Sequence, residues 1–396
     1  MHHPPPLFWL LATLVITFPA QAADKFNLTV THDLAVARPA ETIAVPFSEV
    51  RRQIPDVLFD HVVVRDATGK LIPTQPTNFN PNSREAKYDD LLFQHDFKAG
   101  EKSATFTIEK TSIPVPPFAA KVFARYVPER LDDFAWENDR IAHRVYGPRL
   151  DSPEAGSDRM ISSGIDVWCK RVRYPIVDRW YLKGQDAYHT DTGEGLDLYD
   201  VGPSRGCGGL GIWDGQHLYV SHNYQSWKVL ANGPIRAVFE LTYEAWDAGG
   251  VKVSEVKRFT VDAGHNLDRI ESTFTFEGKP SLQVGIGISK HGTKGALTQD
   301  EKNAWFSYWE DFEQNGHVGT GVVLSPGGLA GFAADETNHL ILANVESGKP
   351  LVYFAGAGWD RTIDFASQED WNAYLAAQAA RLKSPLHLAF PPPPSS

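Results

Sequence analysis

Three long stretches near the middle of the chain decide the fold: Arg236-Ala-Val-Phe-Glu-Leu-Thr-Tyr-Glu-Ala-Trp246, Val251-Lys-Val-Ser-Glu-Val-Lys-Arg-Phe-Thr-Val261 and Leu267-Asp-Arg-Ile-Glu-Ser-Thr-Phe-Thr-Phe276. Each is rich in β-branched and aromatic residues that alternate with polar ones, which is the pattern of a strand. Turn residues at Asp247-Ala-Gly-Gly250 and Ala263-Gly-His265 separate the stretches. The three segments therefore predict successive antiparallel hairpins of one large sheet.

Working outward, the rest of the second half of the chain also predicts strands. The segments are 282–289, 320–324, 340–345 and 351–355. We therefore expect residues 134–390 to form a large antiparallel supersandwich that carries the catalytic or carbohydrate-binding site. The proline-rich end, residues 391–396, predicts a disordered tail.

The first part of the mature chain predicts a smaller β domain. Phe26, Leu28 and Val30 alternate with polar residues, and segments 62–65 and 70–72 flank a turn to make a hairpin. Residues 24–130 are therefore expected to form an N-terminal β-sandwich, and the fold class is mainly β.

Few helices are expected, and all are short. Trp305, Tyr308, Trp309 and Phe312 fall at helical spacing after a sequence that resembles a capping box, so a short amphipathic helix is predicted there. A second helix is predicted after the N-cap residue Ser367.

The amino terminus predicts a signal peptide over residues 1–22. An apolar run from Leu7 to Phe18 precedes Ala20-Gln-Ala22, a small-x-small cleavage site. The run is too short for a stable membrane span, so we expect a periplasmic or secreted protein with no membrane association after cleavage.

Export permits a disulfide between Cys169 and Cys207, and two free buried thiols are the alternative.

The charge of the chain excludes some classes of partner. The formal net charge is -11, which argues against a general nucleic-acid or anionic-membrane binder because those need a basic face. Basic residues cluster locally at 140–149 and 170–173, which leaves room for an acidic substrate. The aromatic content of 12% is common where sheets stack on sugars, although most rings serve as core.

The first polar cluster contains Arg140, His143, Arg144, Tyr146 and Arg149 in a segment with strand-like aliphatic partners. Arg144 and Tyr146 fall on one face of that strand. An arginine that neutralises a carboxylate beside a tyrosine that moves a proton suits proton abstraction next to an acid group. The alternative is an edge strand with solvated arginines.

The second cluster places Asp166, Trp168 and Lys170 on one face of a strand. An acid, a flat ring and a base in a row are too polar for a core and suit a sugar ring. The alternative is a solvent-facing strand that carries a charge pair and a covering tryptophan.

The third cluster is the glycine-rich run His189, Asp191, Glu194 and Asp197, followed by Arg205. These four side chains could hold calcium or another divalent cation, although the spacing matches no standard metal motif. A histidine and carboxylate acid/base pair, or plain loop structure, are the alternatives.

Several motifs in this chain resemble the bacterial family known as domain of unknown function 4861, and the match covers nearly the whole mature chain. The motifs are Arg144-Val-Tyr-Gly-Pro148, Gly164-Ile-Asp-Val-Trp168, Tyr174-Pro, Asp178-Arg-Trp-Tyr181, Gly193-Glu-Gly-Leu-Asp197, Ser204-Arg-Gly-Cys-Gly-Gly209, Trp227-Lys-Val-Leu-Ala-Asn-Gly-Pro-Ile-Arg236 and Gly356-Ala-Gly-Trp359. The resemblance implies an exported protein of polysaccharide-degrading bacteria, often encoded with pectin- or other uronate-processing enzymes. The ribbons also resemble the galactose-mutarotase-like supersandwich, a similarity of fold that does not determine function.

These patterns lead to one main expectation and two alternatives. The main one is a lyase-type enzyme on uronate-containing oligosaccharides. In it Arg144 or Arg205 neutralises the uronate, and Tyr146 or His189 moves the proton. Asp166 or Glu194 would instead serve a hydrolase or epimerase. A non-catalytic periplasmic glycan-binding protein is the other alternative. The expected substrate contacts are Trp168, Lys170, Arg149, Trp213, Trp227 and Trp359.

Overall fold

The computed structural model describes residues 24–80, 88–292 and 294–393, and most of its regular structure is antiparallel β-sheet. The predicted signal peptide, residues 1–22, lies outside the described residues, as do residues 394–396 of the predicted tail. The prediction of a mainly β protein with few helices is confirmed.

The N-terminal region is a sandwich of two small sheets. Its strands and helix are β1 (Lys25–Thr31), β2 (Arg38–Pro46), α1 (Phe47–Gln53), β3 (Val62–Arg65), β4 (Leu71–Ile72), β5 (Thr74–Pro76), β6 (Asp90–Phe97) and β7 (Ser103–Lys110). One sheet has the order β1-β7-β3-β4 and the other has the order β2-β6-β5. Their inner faces bury Leu28, Val45, Phe93 and Phe106. The predicted hairpin is present, since Val64 of β3 pairs with Ile72 of β4.

A second unit is a five-stranded sheet with helices on one face. Its elements are β8 (Phe123–Val127), β9 (Asp133–Glu137), β10 (Ile141–Val145), α2 (Pro148–Asp151), β11 (Asp166–Lys170), α3 (Val177–Lys183), α4 (Gln185–Tyr188) and β12 (Gly195–Asp197). The strand order is β12-β11-β10-β9-β8. The sequence pattern assigns β8 to the N-terminal sandwich, but β8 pairs with β9, so this sheet begins before residue 130.

The largest unit is a sandwich of a five-stranded and an eight-stranded sheet. The strands are β13 (Cys207–Trp213), β14 (Leu218–Tyr219), β15 (Ser226–Ala231), β16 (Arg236–Asp247), β17 (Lys252–Asp262), β18 (Leu267–Phe276), β19 (Leu282–Ser289), β20 (Gly295–Asp300), β21 (Trp305–Asp311), β22 (His317–Leu324), β23 (Gly331–Ala334), β24 (Asn338–Val345) and β25 (Pro350–Trp359). The orders are β14-β13-β19-β24-β23 and β15-β16-β17-β18-β25-β22-β21-β20. The three stretches that predict hairpins are β16, β17 and β18, which pair antiparallel as expected.

The core of this sandwich lies between the two sheets. Phe239 and Phe259 stack with ring centroids 4.7 Å apart, and Ile286 and Val322 are buried in the same core. Burying each such side chain contributes about 1.5–3 kcal/mol relative to leaving it in water. The large sheets therefore form a stable platform for the connections at their edges.

The helix predicted around Trp305 to Phe312 is wrong, because this segment forms strand β21 and pairs with β20 and β22. Both faces of β21 are buried. Phe306 and Tyr308 enter the sandwich core, while Trp305 and Trp309 pack under a helix on the outer face. Rings on both faces of one strand produce spacings of three and four residues, which imitate a helix.

The helix on the outer face is α5 (Gln368–Lys383), which the sequence predicts correctly. The side chain of Ser367 caps it by accepting a bond from the Asp370 amide. Trp371 packs where Gly319 offers no side chain, since a Cβ there would lie 2.6 Å from the indole. Within the described part of the chain, no helix is long and apolar enough to span a membrane.

The end of the chain returns to the N-terminal sandwich. Strand β26 (His387–Ala389) pairs with β1, and Gln53 Nε2 donates to the carbonyl of Pro391 at 2.8 Å. The last part of the predicted 134–390 unit therefore belongs to the N-terminal sandwich.

Cys169 and Cys207 are both buried and both free, so the structure has the thiols and not the disulfide.

Candidate functional site

Three of the motifs that carry the family resemblance, those that begin at Arg144, Gly164 and Gly193, meet on the sheet β8–β12. Side chains alternate along a strand, so Asp166, Trp168 and Lys170 of β11 share a face. The register pairs Arg144 of β10 with Asp166, and Trp168 with Asp197 of β12. Segments that are distant in the chain thereby build a single polar surface.

Arg144 is the centre of this surface. Its Nε donates to Asp166 at 2.6 Å and its Nη2 donates to Asp197 at 2.8 Å. Asp133 is a third carboxylate, 3.9 Å from Nη1, and the same nitrogen donates to the Tyr188 hydroxyl at 3.2 Å. This guanidinium is fully engaged by the protein, so it is not free to neutralise a uronate as the sequence predicts.

The three carboxylates are short of positive charge. Burial raises the pKa of Asp133 to about 6, although Arg144 acts in the opposite direction. Burial also raises the pKa of Asp166 and of Asp197, and the charge of Asp166 adds to the effect on Asp197. Arg144, together with Arg130 near Asp133, offsets only part of the cost of burying three carboxylates, so each of them holds its proton to a higher pH than it would in water.

Tyr146 lies beside Arg144 as predicted, with the guanidinium carbon 5.7 Å from the ring centroid. The phenol is buried, and burial followed by the charge of Asp166 raises its pKa well above the ordinary value. A phenol in this environment keeps its proton. Tyr146 therefore packs against the ion network and is not poised as a base.

The prediction that this face is open to a sugar is wrong. Trp168 is 1% exposed and stacks on Trp180 of α3 with centroids 5.3 Å apart. The Lys170 ammonium donates to the buried Glu137 carboxylate at 2.6 Å. Periodicity reveals which side chains share a face, but it does not reveal that α3 and α4 cover that face.

The Glu194 carboxylate is a major anchor of the cap formed by α3 and α4. Glu194 accepts bonds from Arg179 at 2.7 Å, Lys183 at 2.9 Å and Tyr174 at 2.9 Å. Burial disfavours its charge, but the bonds from Lys183, Tyr174, Arg179 and Trp180 lower its pKa to about 2. The role predicted for Glu194 in catalysis is thus replaced by an anchoring contact.

The four predicted metal ligands do not converge. Asp191 pairs with Arg171 at 2.7 Å, while Glu194 and Asp197 face different basic partners. His189 is half-exposed, and its Nδ1 contacts the backbone carbonyl of Asp197 at 2.9 Å. Among the residues that the structure describes, no three His, Cys, Asp or Glu side chains are placed to hold a metal ion. The calcium site predicted here is not formed.

Arg205 is also buried away from any substrate. Its Nη1 donates to the Ser163 hydroxyl at 2.8 Å, and its Nη2 donates to the Pro203 carbonyl at 3.2 Å. Burial lowers its pKa to about 10. The contacts indicate that Arg205 braces the turn before β13.

The predicted tryptophan platforms differ in their accessibility. Trp213 and Trp359 are buried, and the Trp359 indole donates to the Asn315 carbonyl at 2.7 Å. Trp227 is 45% exposed and stacks on Tyr126 with centroids 5.3 Å apart. Arg149 is likewise exposed. Of the predicted substrate contacts, Trp227 and Arg149 remain open to a ligand.

A second constellation, absent from the sequence predictions, lies at the turn after β19. His291 Nδ1 is 2.6 Å from the Glu310 carboxylate, and the two side chains are only 10% and 3% exposed. The backbone of His291 has φ of 38°, a left-handed conformation that costs energy for a residue other than glycine. Its Nε2 is buried and has no hydrogen-bond partner among the described residues.

This histidine lines a cavity of about 530 Å³. Lys290, Ser204 and Phe312 also line it. The ring of Tyr199 packs edge-on against the imidazole, with centroids 4.4 Å apart. A cavity of this size lies within the usual range for small-ligand sites, about 300–1,000 Å³.

The sequence contains a weak signal for this site. His291 follows an apolar strand and precedes a glycine, which alone is the pattern of an ordinary turn. Glu310 falls inside the segment that resembles a helix, where it would face solvent. In strand β21 it shares a face with Phe306 and Tyr308 and points inward. Because the segment was predicted to be a helix, the contact between His291 and Glu310 was not predicted.

Solved structures that this chain is similar to include two from Enterococcus faecalis. One is an alpha-mannosidase from strain V583, 10% identical, with a TM-score of 0.47 over 95% of this chain and 46% of the other. The other is a protein of glycosyl hydrolase family 38, 10% identical, with a TM-score of 0.49 over 94% and 48%. The chain spans about half the length of each.

Relatives in sequence match almost end to end. A protein of Formosa agariphila described as "Uncharacterized protein P7" is 32% identical over 397 residues, which cover 97% of this chain and 98% of the relative. Residues 30–388 match the family described as domain of unknown function DUF4861. Because that match spans both sandwiches and the capped sheet between them, the chain belongs to the DUF4861 family.

Proposed function

We propose that the protein is an exported carbohydrate-active enzyme that cleaves uronate-containing saccharides by elimination, with its active site in the cavity at His291. The observation that carries the proposal is the 2.6 Å contact between His291 Nδ1 and the buried Glu310 carboxylate. The export rests on the signal peptide predicted over residues 1–22. The substrate class rests on the family resemblance of the sequence.

The contact with Glu310 determines which nitrogen of His291 can act. A carboxylate accepts a hydrogen bond, so in the neutral ring the contact favours the proton on Nδ1 and leaves the lone pair on Nε2. The carboxylate also orients the ring, as in other oriented histidine bases. Tyr199 and Phe312 pack edge-on against the same ring and position it.

The elimination proceeds with all atoms accounted for. Nε2 of His291 takes the proton at C5 of the uronate, next to the acid group. The electrons of that bond form a double bond between C4 and C5, and the bond from C4 to the glycosidic oxygen breaks. The imidazolium returns the proton to the leaving oxygen, so His291 ends as it began.

A uronate also needs a positive group to stabilise the negative charge that develops next to its acid. Lys290 supports this role, because it lines the same cavity and follows directly in the chain from β19. Its ammonium donates to the Asp335 carbonyl at 2.5 Å, which holds the side chain in place without cancelling its charge. The ring of Phe312 offers the cavity one apolar wall.

The test is a comparison of two histidine variants on a panel of pectic, alginate and glucuronate-bearing oligosaccharides. Elimination creates an unsaturated uronate, whose ultraviolet absorbance is recorded beside a product chromatogram. His291→Ala should reduce the rate by about 10²–10⁴-fold, as expected for loss of a general base. The matched control is His317→Ala, which removes a half-exposed histidine whose Nδ1 is 2.9 Å from Asp360.

Each outcome has a clear meaning. Rising absorbance that His291→Ala abolishes and His317→Ala preserves supports the proposal. New products without absorbance would replace elimination by hydrolysis or epimerisation. Full activity of His291→Ala would refute the assignment of the site.

A non-catalytic glycan-binding protein is the second candidate, and the exposed ring of Trp227 favours it. Trp227 stacks on Tyr126, whose hydroxyl bonds to Asp132, and Asp132 is 3.6 Å from the exposed guanidinium of Arg149. A flat ring beside charged groups suits a sugar. Saccharide binding that Trp227→Ala weakens, without turnover of any substrate, would support this candidate.

A further inference from the structure

A cavity of about 420 Å³ separates the N-terminal sandwich from the eight-stranded sheet and α5. Charged side chains from all three units line it. They are Arg38, Glu41, Arg236, Asp262, Arg269 and Arg381. Four guanidinium groups thus face two carboxylates, which is an excess of two positive charges.

The two carboxylates are already bound to two of the arginines. Glu41 accepts bonds from Arg38 at 2.9 Å and 3.0 Å. Asp262 accepts bonds from Arg236 at 2.6 Å and 2.7 Å. Both contacts are bidentate, a strong geometry for an arginine and a carboxylate. The remaining positive charge therefore belongs to the other two arginines.

Arg269 is one of the two arginines that carry the excess positive charge, but it is partly exposed at the edge of the cavity. It pairs with Glu271 on the same strand at 2.9 Å and is more than a third exposed. Solvent screens such a pair, so Arg269 contributes little fixed field. Arg381 is the group that remains.

Arg381 is deeply buried and incompletely satisfied. Its side chain is 9% exposed, its Nη2 donates to the Pro39 carbonyl at 3.2 Å, and its Nε is 3.8 Å from a Glu41 oxygen. That Nε has no hydrogen-bond partner within the described residues. Burial lowers the pKa of Arg381, and the nearby charge of Glu41 offsets only part of that effect. A buried, unpaired donor of this kind costs free energy that a ligand can recover.

We propose that this cavity is a binding site for an oxyanion, either a carboxylate or a sulfate group, with Arg381 as its main ligand. Planar guanidinium groups match both anions through paired N–H donors. The anion would lie between the two sandwiches and α5, so binding would stabilise their contact. The proposal is independent of the active site at His291.

The experiment measures the thermal unfolding midpoint of the full chain in sodium sulfate and in sodium galacturonate. Sodium chloride at matched ionic strength corrects for screening. A ligand that binds only the folded state raises the midpoint as its concentration rises. Arg381→Gln should remove that rise for the anion that binds. Arg361→Gln is the matched control, because Arg361 is 43% exposed, with its Nε 3.8 Å from Asp360 and its Nη2 donating to the Gln314 carbonyl at 3.1 Å.

The two salts distinguish the sources of the anion. A rise with galacturonate alone identifies a saccharide carboxylate, and a rise with both identifies a general oxyanion site. Should Arg381→Gln fail to fold, isothermal titration of Arg381→Lys replaces it, and this variant should bind the anion at least tenfold more weakly, because an ammonium lacks the paired N–H donors of a guanidinium. An equal rise in wild type and Arg381→Gln, or no rise with either salt, would overturn the proposal. His291→Ala should bind the anion normally, which separates this test from that of the active site.

Discussion

The buried pair of Lys170 and Glu137 allows a sharp test of the capped sheet. The Lys170 side chain is fully buried and that of Glu137 is 1% exposed, with 2.6 Å between the charged atoms. Glu137 also accepts bonds from the amides of Ile176 and Val177, where α3 begins. The pair therefore joins β9 and β11 to the first turn of the cap.

Lys170→Met keeps much of the volume of the side chain and removes its charge. Glu137 would then keep only amide donors, and the Asn138 carbonyl would lose the bond that Lys170 donates at 2.7 Å. Breaking a buried pair in this way typically costs about 3–5 kcal/mol, because an uncompensated charge stays in the interior. We expect a loss of this size in the free energy of unfolding at neutral pH.

A double-mutant cycle measures the free energy of unfolding in urea for four proteins: wild type, Lys170→Met, Glu137→Gln and the double variant. The double variant should be less destabilised than the sum of the single ones, since neither charge is left alone. Lys349→Met is the control, because Lys349 and Glu346 are 2.7 Å apart, nearly the same distance, but are 69% and 58% exposed. That change should have no measurable effect. A similar effect of Lys170→Met and Lys349→Met would refute the reasoning.

Two further predictions concern the same region. The pKa of Asp133 is raised to about 6, so the folded state holds this proton more tightly than the unfolded chain does. The resulting stability is complete below the ordinary pKa of 3.8 and is lost as pH rises through 6. Between pH 7.5 and pH 5, wild type should therefore gain roughly 1.4 kcal/mol of stability relative to Asp133→Asn, because pH 5 lies about one unit below the folded pKa; parallel pH curves from urea unfolding would contradict this. Glu194→Gln should loosen the cap, so that amide hydrogen exchange rises over Trp180–Lys183 while β11 stays protected; Glu129→Gln, an exposed partner of Arg125, is the control.

Local sequence patterns were sufficient to predict most of the fold. Alternation along β16, β17 and β18, with turn residues between them, was enough to predict the hairpins of the large sheet. The cap at Ser367 predicted α5 for a similar reason, since an N-cap acts within one turn of its helix. These features depend on neighbours in the chain, which a sequence displays directly.

The failures share a cause in distant contacts. The rings of β21 imitate a helix because the sandwich core covers one face of the strand and α5 covers the other. The pattern of their strand predicted that Trp168 and Lys170 form a sugar-binding face. That pattern contains no information on α3, which covers the face in the folded protein. Burial is the property that was misjudged, and burial is decided by elements remote in sequence.

Short-range patterns were sufficient to predict the fold class, the long hairpins, the C-terminal helix and the faces of the strands that carry Arg144, Asp166 and Trp168. Three features become visible once the chain is folded: the closed ion network of these groups, the contact of His291 with Glu310 beside a cavity, and the incomplete hydrogen bonding of Arg381. The two sets of features differ in the range of the interactions that produce them. Periodicity and capping act over a few residues, whereas ion pairs, cavities and the pKa shifts of buried groups depend on atoms brought together from across the chain.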